Sequence, residues 1–416
     1  MAARPNRIPT AAEEAILAEF ERVAPGLPGN DNVAEARRAA IAAFERDGLP
    51  TRKIEAWHYT DLRTALREVP ASADAPASEA VPPLAEGIRA IDLAHVIASA
   101  SGGVAIEGAA TRLAEGTLFV APSRPFDTIG QINAAFANGG ATIDVAAGTV
   151  LDAPIELQAT AGDAQAHYRN AVAIGSEARA VLIERHTDGD GLASTVTDLT
   201  IAEGASVTYL VVQARGGAAT HLGQLNASLG KGASLTIFVL QAGARVARQE
   251  LNIDMLGEEA ALRVRGVNLL GDDRLTDVTM VSNHAVPHTT GDKIFRNVGT
   301  GRGRGVFQGQ IKVSQVAQKT DANMSCNTLL LSDDASFAAK PELEIFADDV
   351  VCGHGATVDD LDATHVFYLM SRGIPEAQAR ALLVKGFVAE MLDVIEFDPL
   401  SERLEAMIDD WLEAHA

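Results

Sequence analysis

The chain has 416 residues, of which 47% are hydrophobic, enough to form a substantial core rather than a disordered polypeptide. Its 34 basic and 56 acidic residues give a formal net charge of −22, which disfavours binding to nucleic acid or to anionic membrane surfaces. No apolar run reaches the about 18 residues of a transmembrane helix, and the N-terminal residues lack the apolar segment of a secretory signal. The two cysteines, Cys326 and Cys352, are too few for a disulfide framework, so we expect a cytoplasmic protein.

The N-terminal part of the chain predicts helices. Thr10 and Glu13 have the spacing of a capping box at the start of a first helix. A second helix is predicted from about Asp31 to Asp47. The stretch 69–83 is rich in Pro, Ala and Ser, has almost no periodicity, and indicates a linker. We therefore assign residues 1–95 to an N-terminal helical region with its linker.

A repeat dominates the sequence from about residue 140. Four segments each place an alanine before a β-rich run, and the alanines recur at intervals of 27, 28 and 27 residues: Ala178, Ala205, Ala233 and Ala260. A period near 27 without a helix inside it predicts a parallel β-helix, whose successive coils stack about 4.8 Å apart. A flat β-sandwich is the alternative, but it would not explain the constant spacing. We assign residues 96–360 to this mainly β core.

Residues 361–416 again predict helices. Asp362 has the position of an N-cap, and Pro375 opens a longer helix with Leu383, Phe387 and Met391 on one face. The last helix carries an apolar stripe with amphipathic spacing, made by Leu404, Met407, Ile408, Trp411 and Leu412. We expect these helices to cover the open end of the β-helix and to present an apolar face to a partner.

One pair of residues stands out as a candidate metal site. Cys352 and His354 are two residues apart, so in a strand their side chains point to the same face, an arrangement suited to a soft metal or an iron–sulfur cluster. Cys326 precedes Cys352 by 26 residues, close to the repeat, which predicts that it lies one coil away. Three ligands leave a [4Fe–4S] cluster one short, so a fourth would come from elsewhere. The alternative is that both cysteines are small buried hydrophobic residues.

Other chemical motifs are weak or absent. The sequence has no P-loop, which excludes an ATPase site of that type. His284 and His288 are four residues apart, but the intervening Pro287 forbids a regular helix, so they are interpreted as ordinary loop histidines.

Long motifs resemble a known family. The segment from Lys340 to Phe387 contains ADDVVCGHGAT, the segment from Arg304 to Phe337 contains AQKTD and LLLSD, and Glu55 to Arg63 is EAWHYTDLR. These motifs resemble the SufB/SufD family of iron–sulfur assembly scaffolds, and GHGAT is similar to its SufD branch. The resemblance implies a right-handed parallel β-helix flanked by N-terminal and C-terminal α-helical regions.

The resemblance also implies a function. It implies a non-catalytic SufD-like scaffold subunit that works with SufB-like and SufC-like proteins, SufC being a separate ABC-type ATPase. His354 and Cys352 match residues of the cluster-assembly site, whereas Cys326 matches a SufB cysteine and is either an additional thiolate or a remnant of shared ancestry. The implied iron–sulfur cluster is transient and shared with SufB, and none is expected on the isolated chain, which is expected to form a homodimer.

The ATPase subunit is expected to bind the C-terminal helices through Pro375, Leu383, Phe387, Met391, Leu404 and Trp411. Two alternatives remain open at this point. One is a SufB-type scaffold subunit. The other is a β-helix polysaccharide lyase or glycosidase, which would need the aromatic platforms and the secretory signal that this sequence lacks.

Overall fold

The computed structural model describes residues 8–73, 81–118, 121, 124 and 126–415. Part of the predicted linker, residues 74–80, lies outside the described residues. In the described part of the chain, parallel sheets form a β-helix with helical regions on both sides, which confirms the predicted fold class. None of the described helices is long and apolar enough to cross a membrane.

The helices occupy both ends of the chain and one internal stretch. Within the described residues they are α1 (Ala11–Val23), α2 (Asp31–Asp47), α3 (Leu62–Ala65), α4 (Ala109–Glu115), α5 (Thr128–Phe136), α6 (Ala363–Met370), α7 (Glu376–Ala389) and α8 (Asp398–Ala414). The capping box of Thr10 and Glu13 is present, and α2 has the predicted bounds. Sequence periodicity did not reveal α5, because all nine of its residues are buried and it has no polar face.

The strands form two long sheets. They are β1 (Arg89–Asp92), β2 (Ser99–Ser101), β3 (Val104–Gly108), β4 (Ala141–Val145), β5 (Ile155–Thr160), β6 (Ala166–Ile174), β7 (Arg179–Thr187), β8 (Leu192–Ile201), β9 (Ser206–Gln213), β10 (Thr220–Leu229), β11 (Ser234–Gln241), β12 (Val246–Met255), β13 (Ala261–Leu270), β14 (Leu275–His284), β15 (Thr290–Gly299), β16 (Arg304–Val313), β17 (Asp321–Leu330), β18 (Ser336–Ile345) and β19 (Val351–Asp359). Sheet 1 has the order β1-β5-β7-β9-β11-β13-β15-β17-β19, and sheet 2 has the order β18-β16-β14-β12-β10-β8-β6-β4-β3-β2. Each coil therefore adds one strand to each sheet.

The sequence repeat has a local structural cause. All four repeat alanines are fully buried at the turns that lead into strands of sheet 1. The residue directly before each alanine has a positive φ, and these residues are Glu177, Gly204, Gly232 and Glu259. A left-handed turn residue followed by a small buried residue turns the chain from one sheet into the next. The period seen in the sequence is thus the recurrence of this turn.

The helices pack on the sides of the β-helix. The N-terminal helices cover the outer face of sheet 2, where α5 lies against β8 and β10. The C-terminal helices α7 and α8 cover the outer face of sheet 1, in a cluster that includes Phe238, Val267 and Leu404. The expectation that the C-terminal helices cover the open end is therefore wrong for α7 and α8. They bury outward-facing apolar residues of sheet 1 instead.

Candidate functional site

Cys352 and His354 lie on β19, the last strand of sheet 1. In the register with β17, Cys352 is level with Ala322 and His354 is level with Met324, both of which point into the core. Because no further coil follows, the same two positions on β19 face the open end. Cys352 is half-buried and His354 is exposed. The thiol and the imidazole therefore share one face, as predicted, at the end of the β-helix.

Cys326 does not lie beside Cys352. Asp321 pairs with Val351, so this coil advances by thirty residues, and Cys326 is level with Ala356 rather than with Cys352. The offset of four residues separates the two cysteines by about 13 Å along the strand direction. The expectation that Cys326 lies one coil from Cys352 at strand spacing is wrong, because the coils lengthen beyond the 27-residue period near the end of the β-helix.

The two thiols have different environments. Burial raises the pKa of the Cys326 thiol to about 12, although Asn297 donates a hydrogen bond of 3.3 Å to its sulfur. Burial also raises the pKa of Cys352, but the backbone N–H of Ala322 and the ammonium of Lys293 both oppose this shift. Because the thiolate is the form that binds metal, Cys352 is the better ligand of the two.

Apolar side chains of β18 lie at the same end of the core as Cys352. From β18, the last strand of sheet 2, Phe337, Ala339 and Leu343 are partly buried against the end of the core. Both β18 and β19 are the outermost strands of their sheets, so among the described residues each has one edge without a neighbouring strand. Such edges pair readily with strands of another chain. The open end thus combines two possible ligands with a surface suited to a protein partner.

The described residues hold no complete metal site. Across them, no group of three or more His, Cys, Asp or Glu side chains is arranged to hold a metal ion. Cys352 and His354 together would supply at most two ligands, so the described residues alone do not complete a site for a metal ion.

The C-terminal residues predicted to bind a partner are mostly internal. Met391, Leu404 and Trp411 are buried in the cluster between the helices and sheet 1, and Leu383 and Phe387 are partly buried. Of the six residues, Pro375 alone is exposed. The prediction that the stripe of α8 faces a partner is wrong for Leu404 and Trp411, because that stripe covers the outer face of sheet 1.

A set of exposed apolar residues lies on α6. The exposed fractions are 71% for Phe367, 53% for Tyr368 and 42% for Met370. These three residues are named the α6 patch below. Large exposed apolar groups that are close together are typical of protein-binding surfaces. Sequence reasoning missed the patch because α6 and α8 both carry large apolar residues, and only packing shows which of these are covered.

Two interior polar residues were also missed. Lys293 on β15 has no exposed surface, and burial lowers its pKa to about 8. His284, interpreted above as a loop histidine, is buried at the end of β14, where burial lowers its pKa to about 3. One sequence signal could have found Lys293. It lies two residues before Phe295, which points into the core, and side chains two residues apart on a strand point to the same face.

Comparisons with known proteins agree with this architecture. Residues 157–387 match the family model described as SUF system FeS cluster assembly, SufBD core domain. The iron–sulfur cluster assembly protein SufD of Escherichia coli strain K12 is 26% identical over 377 residues, which cover 87% of this chain and 89% of that protein. A SufBD family protein of Mycobacterium tuberculosis strain H37Rv is 26% identical over 406 residues, covering 94% of this chain and 97% of the relative.

A third relative matches over a shorter span. A SufBD family protein of Synechocystis is 32% identical over 215 residues, which cover 51% of this chain and 47% of that protein. The family match includes most of sheets 1 and 2, both cysteines, His354 and α6. The chain therefore belongs to the SUF-system iron–sulfur cluster assembly family that is defined by the SufBD core domain.

Proposed function

We propose that this chain is a SufD-like, non-catalytic scaffold subunit of cytoplasmic iron–sulfur cluster assembly. In this proposal it works with a SufB-like subunit at the open end of the β-helix and with a separate SufC-type ATPase at the C-terminal helices. The nascent cluster is the cargo of the assembly and is held between the two scaffold subunits. The free state of both cysteines is consistent with a reducing compartment.

The observation that carries the proposal is the position of Cys352 and His354. They are the end members of two inward columns of side chains, they lie beside the unpaired edges of β18 and β19, and they are too few to hold a metal alone. A second β-helix that pairs with these edges would bring its own ligands to the same place. His354 and Cys352 would then supply an imidazole and a thiolate from this side, which are both ligands of iron–sulfur clusters.

The ATPase is proposed to bind the α6 patch rather than the stripe of α8. Phe367 and Tyr368 are exposed, whereas Leu404 and Trp411 are buried in the fold. Aromatic residues are enriched at the energetic centres of protein interfaces. Pro375 lies between α6 and α7 and is exposed, so it remains a proposed contact next to the patch.

The cluster site is tested in the co-expressed complex. The chain is purified anaerobically with its SufB-like and SufC-like partners, and iron and acid-labile sulfide are measured per complex. We expect His354→Ala to leave complex assembly and the melting temperature unchanged while removing most of the iron, since the exposed imidazole has no structural role. Cys352→Ala should have a smaller effect, and Cys326→Ala should have the smallest effect because its thiol is buried in the core.

His95→Ala is the matched control. His95 is also exposed and follows β1, in the first rather than the last coil, where its ring is paired with Asp92. Its substitution should change neither iron content nor complex assembly. Normal iron and sulfide in the His354→Ala complex would remove this residue from the site. Equal losses in the two variants would show that the assay responds to any lost histidine.

A further inference from the structure

The backbone of β19 offers a continuous row of hydrogen-bonding groups at the open end. Along a strand, the N–H and C=O of one residue point to one side of the strand, and those of the next residue point to the other side. The N–H of Val351 donates to the carbonyl of Thr320 at 2.9 Å, and the register with β17 has no bulge, so every second residue from Val351 faces β17. The backbone groups of the residues between them face the free edge, and these residues are Cys352, His354, Ala356 and Val358.

The free edge of β18 is interrupted. The N–H of Ser336 donates to the carbonyl of Gly303 at 3.0 Å, and the register with β16 is also unbroken, so every second residue from Ser336 faces β16. Pro341 belongs to the other set, whose backbone groups face the free edge. Proline has no N–H, so the row of donors on this edge is broken between Ala339 and Leu343.

The side chains of the two strands differ in the same sense. The outer face of β18 carries Lys340, which forms ion pairs with Glu55 and, at 3.1 Å, with Glu342. Charged residues and proline are the usual protections of an edge strand against pairing with another chain. In contrast, β19 contains no Pro, Lys, Arg or Glu, and Gly353 and Gly355 leave its outer face with few side-chain atoms. The structure thus protects one of the two edges and leaves the other open.

We propose that a strand of the SufB-like partner pairs with β19 alone, and that Pro341 and the charged face of β18 exclude such pairing at the edge of sheet 2. Sheet 1 would then continue into the second molecule, whereas sheet 2 would end at β18. The identity of the partner rests on the proposed function, but the choice of edge rests on the backbone geometry of this chain.

The pairing would bring the partner strand next to the candidate ligands. Cys352 and His354 provide two of the free N–H groups, so the partner backbone would bind the same two residues whose side chains face the open end. Neighbouring strands lie about 4.8 Å apart, so partner side chains on that face would lie beside the thiol and the imidazole. From β18, Phe337 and Leu343 would contribute apolar side chains without sharing a ladder.

Proline substitutions test the two edges separately. Ala356→Pro removes one free N–H from the edge of β19, and Ala339→Pro, the matched control, removes one from the edge of β18. Neither substitution removes a ladder hydrogen bond inside this chain, so both variants should melt close to the wild type. Titrated with the purified SufB-like partner, Ala356→Pro should bind at least about tenfold more weakly, because the shared ladder loses a donor in its interior. Ala339→Pro should bind with an unchanged dissociation constant.

Amide hydrogen exchange on the unmodified chain provides a second measurement that does not depend on the folding of a variant. Exchange is followed residue by residue with and without the partner. Partner binding should slow exchange at the free-edge amides of β19. The amides of Ala339 and Leu343 on β18 should exchange at unchanged rates.

Two outcomes would overturn the pairing. They are slower exchange on β18 in place of β19, and equal weakening of partner binding by the two proline variants. Either result would leave the iron assay on His354→Ala unaffected, because that assay does not depend on which edge pairs. Failure of the SufB-like partner to bind the wild-type chain, in contrast, would overturn the proposed function together with this pairing.

Discussion

Arg248 joins the N-terminal segment to the β-helix and offers the sharpest test of what stabilises this fold. It lies on β12 with no exposed surface and binds Glu250 at 2.9 Å and Asp277 at 2.6 Å. The guanidinium also donates to the carbonyl of Ala56 at 2.7 Å and stacks 3.7 Å above the ring of Trp57. Ala56 and Trp57 of the EAWHYT motif therefore attach the N-terminal region to sheet 2.

Arg248→Met retains much of the side-chain length and removes the charge. Glu250 keeps an ion pair with Arg124, but Asp277 keeps only hydrogen bonds from hydroxyl groups, with no cation among the described residues. Removing one partner from a buried ion pair costs about 3–5 kcal/mol, because the remaining charge stays buried and uncompensated. We expect a loss of that size in the free energy of unfolding, mainly from Asp277.

Urea denaturation at pH 7 measures this loss. The double variant Arg248→Met with Asp277→Asn should recover a large part of the stability, since the orphaned charge is then gone. Arg263→Met, at an exposed position on β13, is the matched control and should change the free energy of unfolding by no more than about 0.5 kcal/mol. A loss below about 1 kcal/mol for Arg248→Met, or no recovery with Asp277→Asn, would refute the reasoning.

Three further predictions concern acid stability, the thiols and the C-terminal helices. Burial lowers the pKa of His167 to about 3, so the folded state resists a proton that the unfolded state binds below pH 6.5. His167 therefore leaves the free energy of unfolding unchanged above that pH and lowers it by about 1.4 kcal/mol per pH unit as the pH falls toward 3. In urea titrations from pH 7.5 to 5, His167→Asn should make the free energy of unfolding depend less steeply on pH, by the equivalent of one bound proton. An unchanged dependence on pH would contradict the assignment. Under mild oxidation, peptide mapping should find no bond between Cys326 and Cys352, because they are offset by about 13 Å along the strands; a cross-linked peptide would disprove the register. Leu404→Ala should destabilise the fold by about 2–5 kcal/mol, whereas Phe367→Ala should leave its stability unchanged and weaken co-purification with the ATPase. Full ATPase binding by Phe367→Ala would refute the docking proposal.

The candidate site was only partly predictable from the sequence. The common face of Cys352 and His354 follows from strand parity, which is a local property that two residues suffice to define. The relation between Cys326 and Cys352 depends on the length of one coil, and that length rises from 27 residues between Arg179 and Ser206 to thirty at the last coil. A small error in coil length is a shift in register, so a ligand pair that spans coils cannot be predicted from an average period.

Local patterns in the sequence determined the repeat and the ends of the helices. The left-handed residue before each buried alanine is a local backbone requirement, as is the capping box of Thr10 and Glu13, so both can be recognised in a single segment. Only the tertiary structure decided that the stripe of α8 is covered while Phe367 is exposed, and that Lys293 and His284 are both buried beside Gly291. Apolar character shows that a surface favours burial, but which surfaces meet depends on the packing of elements far apart in the chain.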